Sequence, residues 1–277
     1  MEKIIIIAGP TASGKTDLAI KLAKKIDAEI INADSRQIFK EISIGTAKPA
    51  DLGGIPHHGF DLISIKNEFN VAKFLKFFEK TANDIISRGK KVILTGGTGL
   101  YIDACINGLS EIPEIDPKIR LEIAKIPLPE LYEKLKKVDP ETKVDSQNPQ
   151  RVIRAYEVFL GTGKNLSTWH KKTKKRKPEY EVELLLLNPA REILYERINN
   201  RVDWMFENGL IEETKKLDAE DIKKAGIGYN HVASFLAGEI TLHEAKEKMK
   251  KDTRNYAKRQ VTWFRKYDYK YSENILQ

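Results

Sequence analysis

Gly9-Pro10-Thr11-Ala12-Ser13-Gly14-Lys15-Thr16 sets the fold of this 277-residue chain. The stretch follows the apolar run Ile4-Ile5-Ile6-Ile7-Ala8 and precedes Asp17-Leu18-Ala19-Ile20-Lys21-Leu22-Ala23, whose apolar residues recur at helical spacing. Strand, glycine loop and helix, with the spacing G-x-x-x-x-G-K-[ST], make a P-loop. The glycines let backbone amides turn inward toward an anion. The new helix adds unpaired N–H groups and the positive end of its dipole. Lys15 brings a charge to terminal phosphate oxygens, and Thr16 offers a hydroxyl to a Mg²⁺ ion. The motif announces a phosphate chain; it specifies neither the compound that carries it nor the bond that breaks.

Further runs extend the pattern. Ala28 to Ala33 ends at Asp34, Lys91 to Thr95 ends at Gly96-Gly97, and Val182 to Leu187 ends at Asn188-Pro189. Short continuous apolar runs alternating with helices predict an α/β fold, a P-loop NTPase-like parallel sheet flanked by helices. Residues 70–88 read as one of these helices, with Asn70 as its cap. Ligands of such sheets sit at the carboxyl ends of the strands. Gly9, Asp34 and Gly96 all fall there, which predicts a shared site.

The character changes near Pro113. From 113 to 178 there is no long apolar run, only short helical patterns such as Leu131 to Leu135 and Pro149 to Leu160, closed by Lys171-Lys172-Thr173-Lys174-Lys175-Arg176-Lys177. This reads as a small helical insertion in a core made of 1–112 and 179–277. Two long helices are expected after the fourth strand, Arg191 to Leu217 and Leu242 to Lys266.

The chain carries 48 basic and 40 acidic residues, a net charge of +8, which raises nucleic acid as a partner without deciding it. Cys105 is the only cysteine, so an internal disulfide and a cysteine-based zinc site are excluded. No run is long enough to span a membrane. A cytoplasmic protein, and a monomer, is the expectation.

Several polar clusters carry candidate chemistry. Asp34-Ser35-Arg36-Gln37 places a carboxylate across the strand ends from the P-loop, able to accept a proton from an attacking group. In a P-loop kinase that group is a substrate hydroxyl. The strand before Gly96-Gly97-Thr98-Gly99 ends in Leu94-Thr95-Gly96 where many P-loop nucleotidases carry an acid, which weakens a hydrolytic reading. Gln150, Arg151 and Arg154 share one helical face and suit phosphate and base contacts, although composition alone favours an ordinary solvated face. Arg254, Lys258 and Arg265 form a similar basic arc. The adjacent His57 and His58 lack the spacing of a helical zinc pair.

Taken in order, the P-loop, Asp34-Ser35-Arg36-Gln37, Ile44-Gly45-Thr46-Ala47-Lys48-Pro49, His57-His58, Gly96-Gly97-Thr98-Gly99-Leu100-Tyr101, Pro149-Gln150-Arg151 and Ala257-Lys258-Arg259-Gln260 resemble the bacterial tRNA dimethylallyltransferase family over nearly the whole chain. The resemblance implies transfer of a dimethylallyl group from its diphosphate to the exocyclic amine of the adenine 3′ to the tRNA anticodon. It implies that Gly9 to Thr16 hold the diphosphate, with Lys15, Asp34 and Thr98 at the chemistry and Thr16 placing Mg²⁺. It also implies that Asp34, Ser35, Arg36, Gln37, Thr98, Arg120, Gln150, Arg151, Val152, Ile153 and Arg154 meet the anticodon loop, and more weakly Gly228-Tyr229. The segment Ile123 to Pro140 is short for the family, and Asn230-His231 departs from its usual polar pair. A small-molecule P-loop kinase and a free adenine-nucleotide prenyltransferase are the competing readings.

Overall fold

The computed structural model describes residues 2–172, 180–267 and 270–271. Along the chain run β1 (Lys3–Ala8), α1 (Lys15–Ile26), β2 (Ala28–Asn32), β3 (His57–His58), α2 (Val71–Ser87), β4 (Lys91–Gly96), α3 (Gly99–Asn107), α4 (Pro117–Ile123), α5 (Leu128–Val138), α6 (Pro149–Thr162), α7 (Leu166–Lys172), β5 (Glu181–Leu186), α8 (Arg191–Glu207), α9 (Leu210–Lys215), α10 (Ala219–Ala225), α11 (Tyr229–Leu236), α12 (Leu242–Phe264) and β6 (Lys270–Tyr271). Contacts divide the chain into two compact units, Met1–Ile106 with Pro178–Gln277, and Asn107–Lys177. The second unit begins as α3 ends, ahead of the change in composition at Pro113. Of the basic run, residues 173–177 lie outside the described residues. No helix among the described residues is long and apolar enough to cross a membrane.

The first unit is built on a parallel sheet in the order β3-β2-β4-β1-β5-β6. Its continuous apolar runs follow from burial on both faces. Side chains alternate across a strand, so Ile4 and Ile6 join Ile31, Leu94, Phe74 and Phe78 on one side, while Ile7 joins Ile30, Ile93, Leu18 and Leu22 on the other. Asn70 caps α2 as expected, its side chain accepting from Lys73 N–H at 3.0 Å. At the edge of the sheet His58 pairs with buried Glu29 at 2.7 Å, and Arg88 closes on the same carboxylate. Chiefly through its hydrogen bonds with Arg88, Glu29 is held down at about 2. Both histidines of the pair are thereby tied into the sheet, His57 through the Ile55 carbonyl at 2.8 Å.

The long helix expected from Arg191 to Leu217 is broken. α8 stops at Glu207, and Gly209, at φ 102°, precedes α9 as its N-cap. The last long helix runs as expected, opened by a capping box between Thr241 and Glu244. α8 and α12 pack antiparallel: Asn199 meets Arg254 at 2.6 Å, Asp203 meets Lys250 at 3.0 Å, and the Phe206 ring lies under Lys246.

The second unit has its own small core, in which Ile123, Leu131, Leu135, Val152 and Ala155 are buried together.

Candidate active site

A cavity of about 580 Å³ opens at the carboxyl ends of β1, β2 and β4, and all of its lining belongs to the first unit. The P-loop forms one wall. Gly14 stands before α1 at φ 87°, a conformation that glycine adopts without strain, and Ala12 also has a positive φ of 62°. Lys15 is half-buried as a residue, but its ammonium is sunk in the loop and donates to the Pro10 carbonyl at 2.9 Å. Burial pushes Lys15 down to about 8, against the pull of Asp34 and with a push from Arg201. Ser13 Oγ is buried without a protein partner, as are Thr95 Oγ1 and Asn32 Nδ2 on the same lining. Thr95 stands where a nucleotidase would carry its acid.

Asp34 faces this loop from the end of β2. Its Oδ1 accepts from Arg36 N–H at 2.8 Å and Gln37 N–H at 3.3 Å, so the turn orients the carboxylate. Thr98 is outside the cavity lining; its Oγ1 accepts from Ser35 N–H at 2.9 Å and so fixes the turn that carries Asp34. Gln37 donates to the Thr46 and Ala47 carbonyls at 2.9 and 3.2 Å, and Arg36 to the Lys224 carbonyl at 2.7 Å. The Asp34–Gln37 turn therefore braces the Gly45–Ala47 loop that forms another wall.

Three residues without an assigned role in the sequence reading prove central. Arg201 on α8 donates to Thr11 Oγ1 at 3.2 Å; burial lowers its basicity, opposed by Asp17 and Asp34. Gln260 on α12 accepts from Thr11 N–H at 2.8 Å and donates to the Gly97 carbonyl at 2.9 Å, bridging the loops after β1 and β4. Glu213 on α9, nearly buried, accepts from Ser43, Ile44 and Gly45 N–H at 2.7, 2.9 and 3.0 Å and from the Tyr229 hydroxyl at 2.6 Å. Gly45 has to be glycine here, because a Cβ would fall 2.5 Å from the Tyr229 ring. Of these three, only Gln260 stood inside a motif picked out in the sequence.

Tyr229 is wholly buried, and its side chain is a strut beneath Gly45. His231, two residues on, pairs with Asp252 at 3.0 Å. Val152 is likewise wholly buried in the second unit, which assigns its side chain to packing because its helical face turns inward; Ile153 is half-buried beside it. On the same unit Gln150 and Arg151 are exposed, while Arg120 and Arg154 converge on buried Glu157 at 3.2 and 3.0 Å.

Chemically, the cavity joins the cations of Lys15 and Arg201 and a ring of amides to the oriented carboxylate of Asp34 across the strand ends. Tyr256, pushed up to about 12 by burial and the charge of Asp34, adds a neutral hydroxyl to the lining.

Comparison with known proteins agrees with this geometry. The family model described as IPP transferase matches residues 37–267, and one described as isopentenyl transferase matches residues 2–55. The tRNA dimethylallyltransferase 1 of Citrifermentans bemidjiense is 43% identical over 273 residues, covering 95% of this chain and 89% of the relative. The tRNA dimethylallyltransferase of Acetivibrio thermocellus is 44% identical over 280 residues, covering 96% and 90%. Among solved structures, the tRNA isopentenylpyrophosphate transferase of Bacillus halodurans superposes with a TM-score of 0.72 at 36% identity, over 98% of this chain and 89% of that one. A eukaryotic dimethylallyltransferase acting on tRNA superposes at 0.82 and 32% identity, over 95% and 70%. With a P-loop facing an oriented carboxylate, and with family models and relatives matching nearly end to end, this chain belongs to the IPP transferase family of tRNA dimethylallyltransferases.

Proposed function

We infer that the protein transfers a dimethylallyl group from dimethylallyl diphosphate to tRNA, and we propose the exocyclic amine of the adenine 3′ to the anticodon as the acceptor. The observation that carries this reading is the opening of the P-loop and the Asp34 turn into one cavity, with Lys15 and Arg201 on the phosphate side. An adenine amine is a poor nucleophile. The C1–O bond of the donor therefore breaks with positive charge developing on the allylic carbon, and the diphosphate leaves with the bonding pair. Lys15, Arg201 and the loop amides stabilise that leaving anion. The amine forms the new C–N bond, and its proton passes to Asp34. Tyr256 and the Gly45–Ala47 loop keep water from the developing cation.

A Mg²⁺ ion fits the donor set: the Thr16 hydroxyl is a hard oxygen ligand on the cavity wall, and it leaves the other positions for water and phosphate oxygens. When bound, the ion supplies charge neutralisation to the departing diphosphate. Ser35, Arg36, Gln37, Arg120, Gln150, Arg151 and Arg154 are proposed as contacts to the anticodon loop, whose single strand lets the target base leave its stack. The cavity is complete within one chain, which supports a monomer; the lone, buried Cys105 is compatible with the cytoplasm.

Labelled dimethylallyl diphosphate, offered with an unmodified tRNA whose anticodon loop carries consecutive adenines, tests this reading. Label is expected in the adenine. ATP-dependent phosphorylation without prenyl transfer would overturn the assignment.

A further inference from the structure

The polar half of the cavity has an apolar counterpart. Val202, Met205, Ala225 and Met249 line it and are nearly or wholly buried. They belong to one hydrophobic cluster, distinct from the two that cover the sheet. A hydrophilic substrate would leave them without a purpose at a cavity wall, whereas a donor with a charged head and an apolar tail uses both halves.

The two helices that carry these residues also carry the phosphate contacts. On α8, Arg201 reaches Thr11 of the P-loop, Val202 follows it, and Met205 lies one turn further from the loop. On α12, Gln260 touches Thr11, and Thr253 and Met249 line the cavity progressively further back. The helices are antiparallel, with the pairs Asn199–Arg254 and Asp203–Lys250 in register. That register brings Met205 and Met249 to the same level, four residues and so about 6 Å of axial rise beyond Arg201. A branched five-carbon chain spans roughly 5 Å at C–C distances near 1.5 Å. Met249 has little freedom to retreat: it packs on Gly228, where a Cβ would fall 2.6 Å from its terminal methyl.

We propose that Met205 and Met249 form the floor of the prenyl pocket and set the donor's chain length at five carbons. The proposal rests on the prenyl-transfer reading above and goes beyond it by naming the residues that choose the donor. A ten-carbon geranyl tail meets the two thioethers. The five-carbon tail stops against them, with Val202 and Ala225 as the side walls.

The test is a competition between dimethylallyl and geranyl diphosphate on the same tRNA. It uses the wild type, Met249→Ala, Met205→Ala and the volume-conserving Met249→Leu, with Ala225→Val as a variant that narrows the pocket. The alanine variants are expected to raise the geranyl-to-dimethylallyl ratio of kcat/KM by about tenfold or more each, the range that added methylenes command in apolar pockets. Met249→Leu should keep the wild-type preference. Ala225→Val should depress dimethylallyl use by about tenfold. Inorganic diphosphate affinity, followed in parallel, reports that each variant folds with its P-loop intact. Folded alanine variants with an unchanged donor ratio overturn the inference while the enzyme's function stands. Altered KM for tRNA with an unchanged donor ratio also overturns it, by assigning the floor to the base. If the alanine variants fail to fold, Ala225→Val decides by its effect on donor use. A wild type that prenylates no RNA overturns the functional reading and this inference with it.

Discussion

In the ligand-free protein, Lys15 loses its proton near pH 8, because the loop that positions the ammonium also strips it of water. Affinity for dimethylallyl diphosphate is therefore expected to weaken above that pH, by about tenfold at pH 9, where about a tenth of the side chains remain charged. Titration calorimetry at fixed ionic strength measures this, and a flat profile from pH 7 to 9 would show that Lys15 keeps its proton over that range. The same shift has a consequence for stability. The unfolded chain keeps the proton up to the ordinary value of 10.5, so between about 8 and 10.5 it binds more protons than the folded state, and the Lys15 contribution to stability rises with pH. Below pH 8 the buried charge is a standing cost. Lys15→Met should thus stabilise the ligand-free protein by about 1–3 kcal/mol at pH 7 while abolishing diphosphate binding, as denaturation with and without diphosphate will reveal. Asp34 should separate differently. Asp34→Ala is expected to lower kcat by about 10²–10⁴-fold with diphosphate affinity little changed. Equal loss of both would assign the carboxylate to the metal or phosphate site.

Among the elements, the helices that follow the sheet hold the site together from outside it. Glu213 on α9 gathers three consecutive amides and a phenol onto one nearly buried carboxylate. In Glu213→Gln an amide N–H faces donors that need an acceptor, a cost of about 1–3 kcal/mol in denaturant unfolding. Because the Gly45–Ala47 wall is what Glu213 secures, KM for RNA should rise more than KM for the donor. These helices also mark the limit of what the chain discloses before it folds. Strands, P-loop and the Asn70 cap are local: each is written in fewer than about 20 consecutive residues, at a spacing that physics allows few ways to satisfy. The convergence of the P-loop, Asp34 and Gly96 followed from strand direction alone, although Gly9 itself lies outside the cavity lining. Arg201 and Glu213 had no such signal, and Gln260 stood in a motif only through the family resemblance. Their partners lie 190, 168–170 and 249 residues away, and an arginine, glutamate or glutamine on an amphipathic helix reads as solvated until the tertiary partner is known. Val152 and Tyr229 show the opposite limit, since their places inside motifs gave no sign that both side chains are buried in the core.

At the scale of the molecule, the excess of eight positive charges predicts that tRNA binding falls about tenfold or more between 50 and 200 mM salt, with donor binding far less affected. Filter binding at several salt concentrations reads the slope, and a slope near zero would take the phosphate backbone out of recognition. The bridge made by Gln260 has a consequence for the order of synthesis. The loop that grips the donor is translated as one short stretch, yet its Thr11 amide is fastened by a residue that emerges 249 residues later. A nascent chain thus carries its most recognisable motif long before it can finish it, and translation interrupted between the two yields a phosphate loop with no fastening for it.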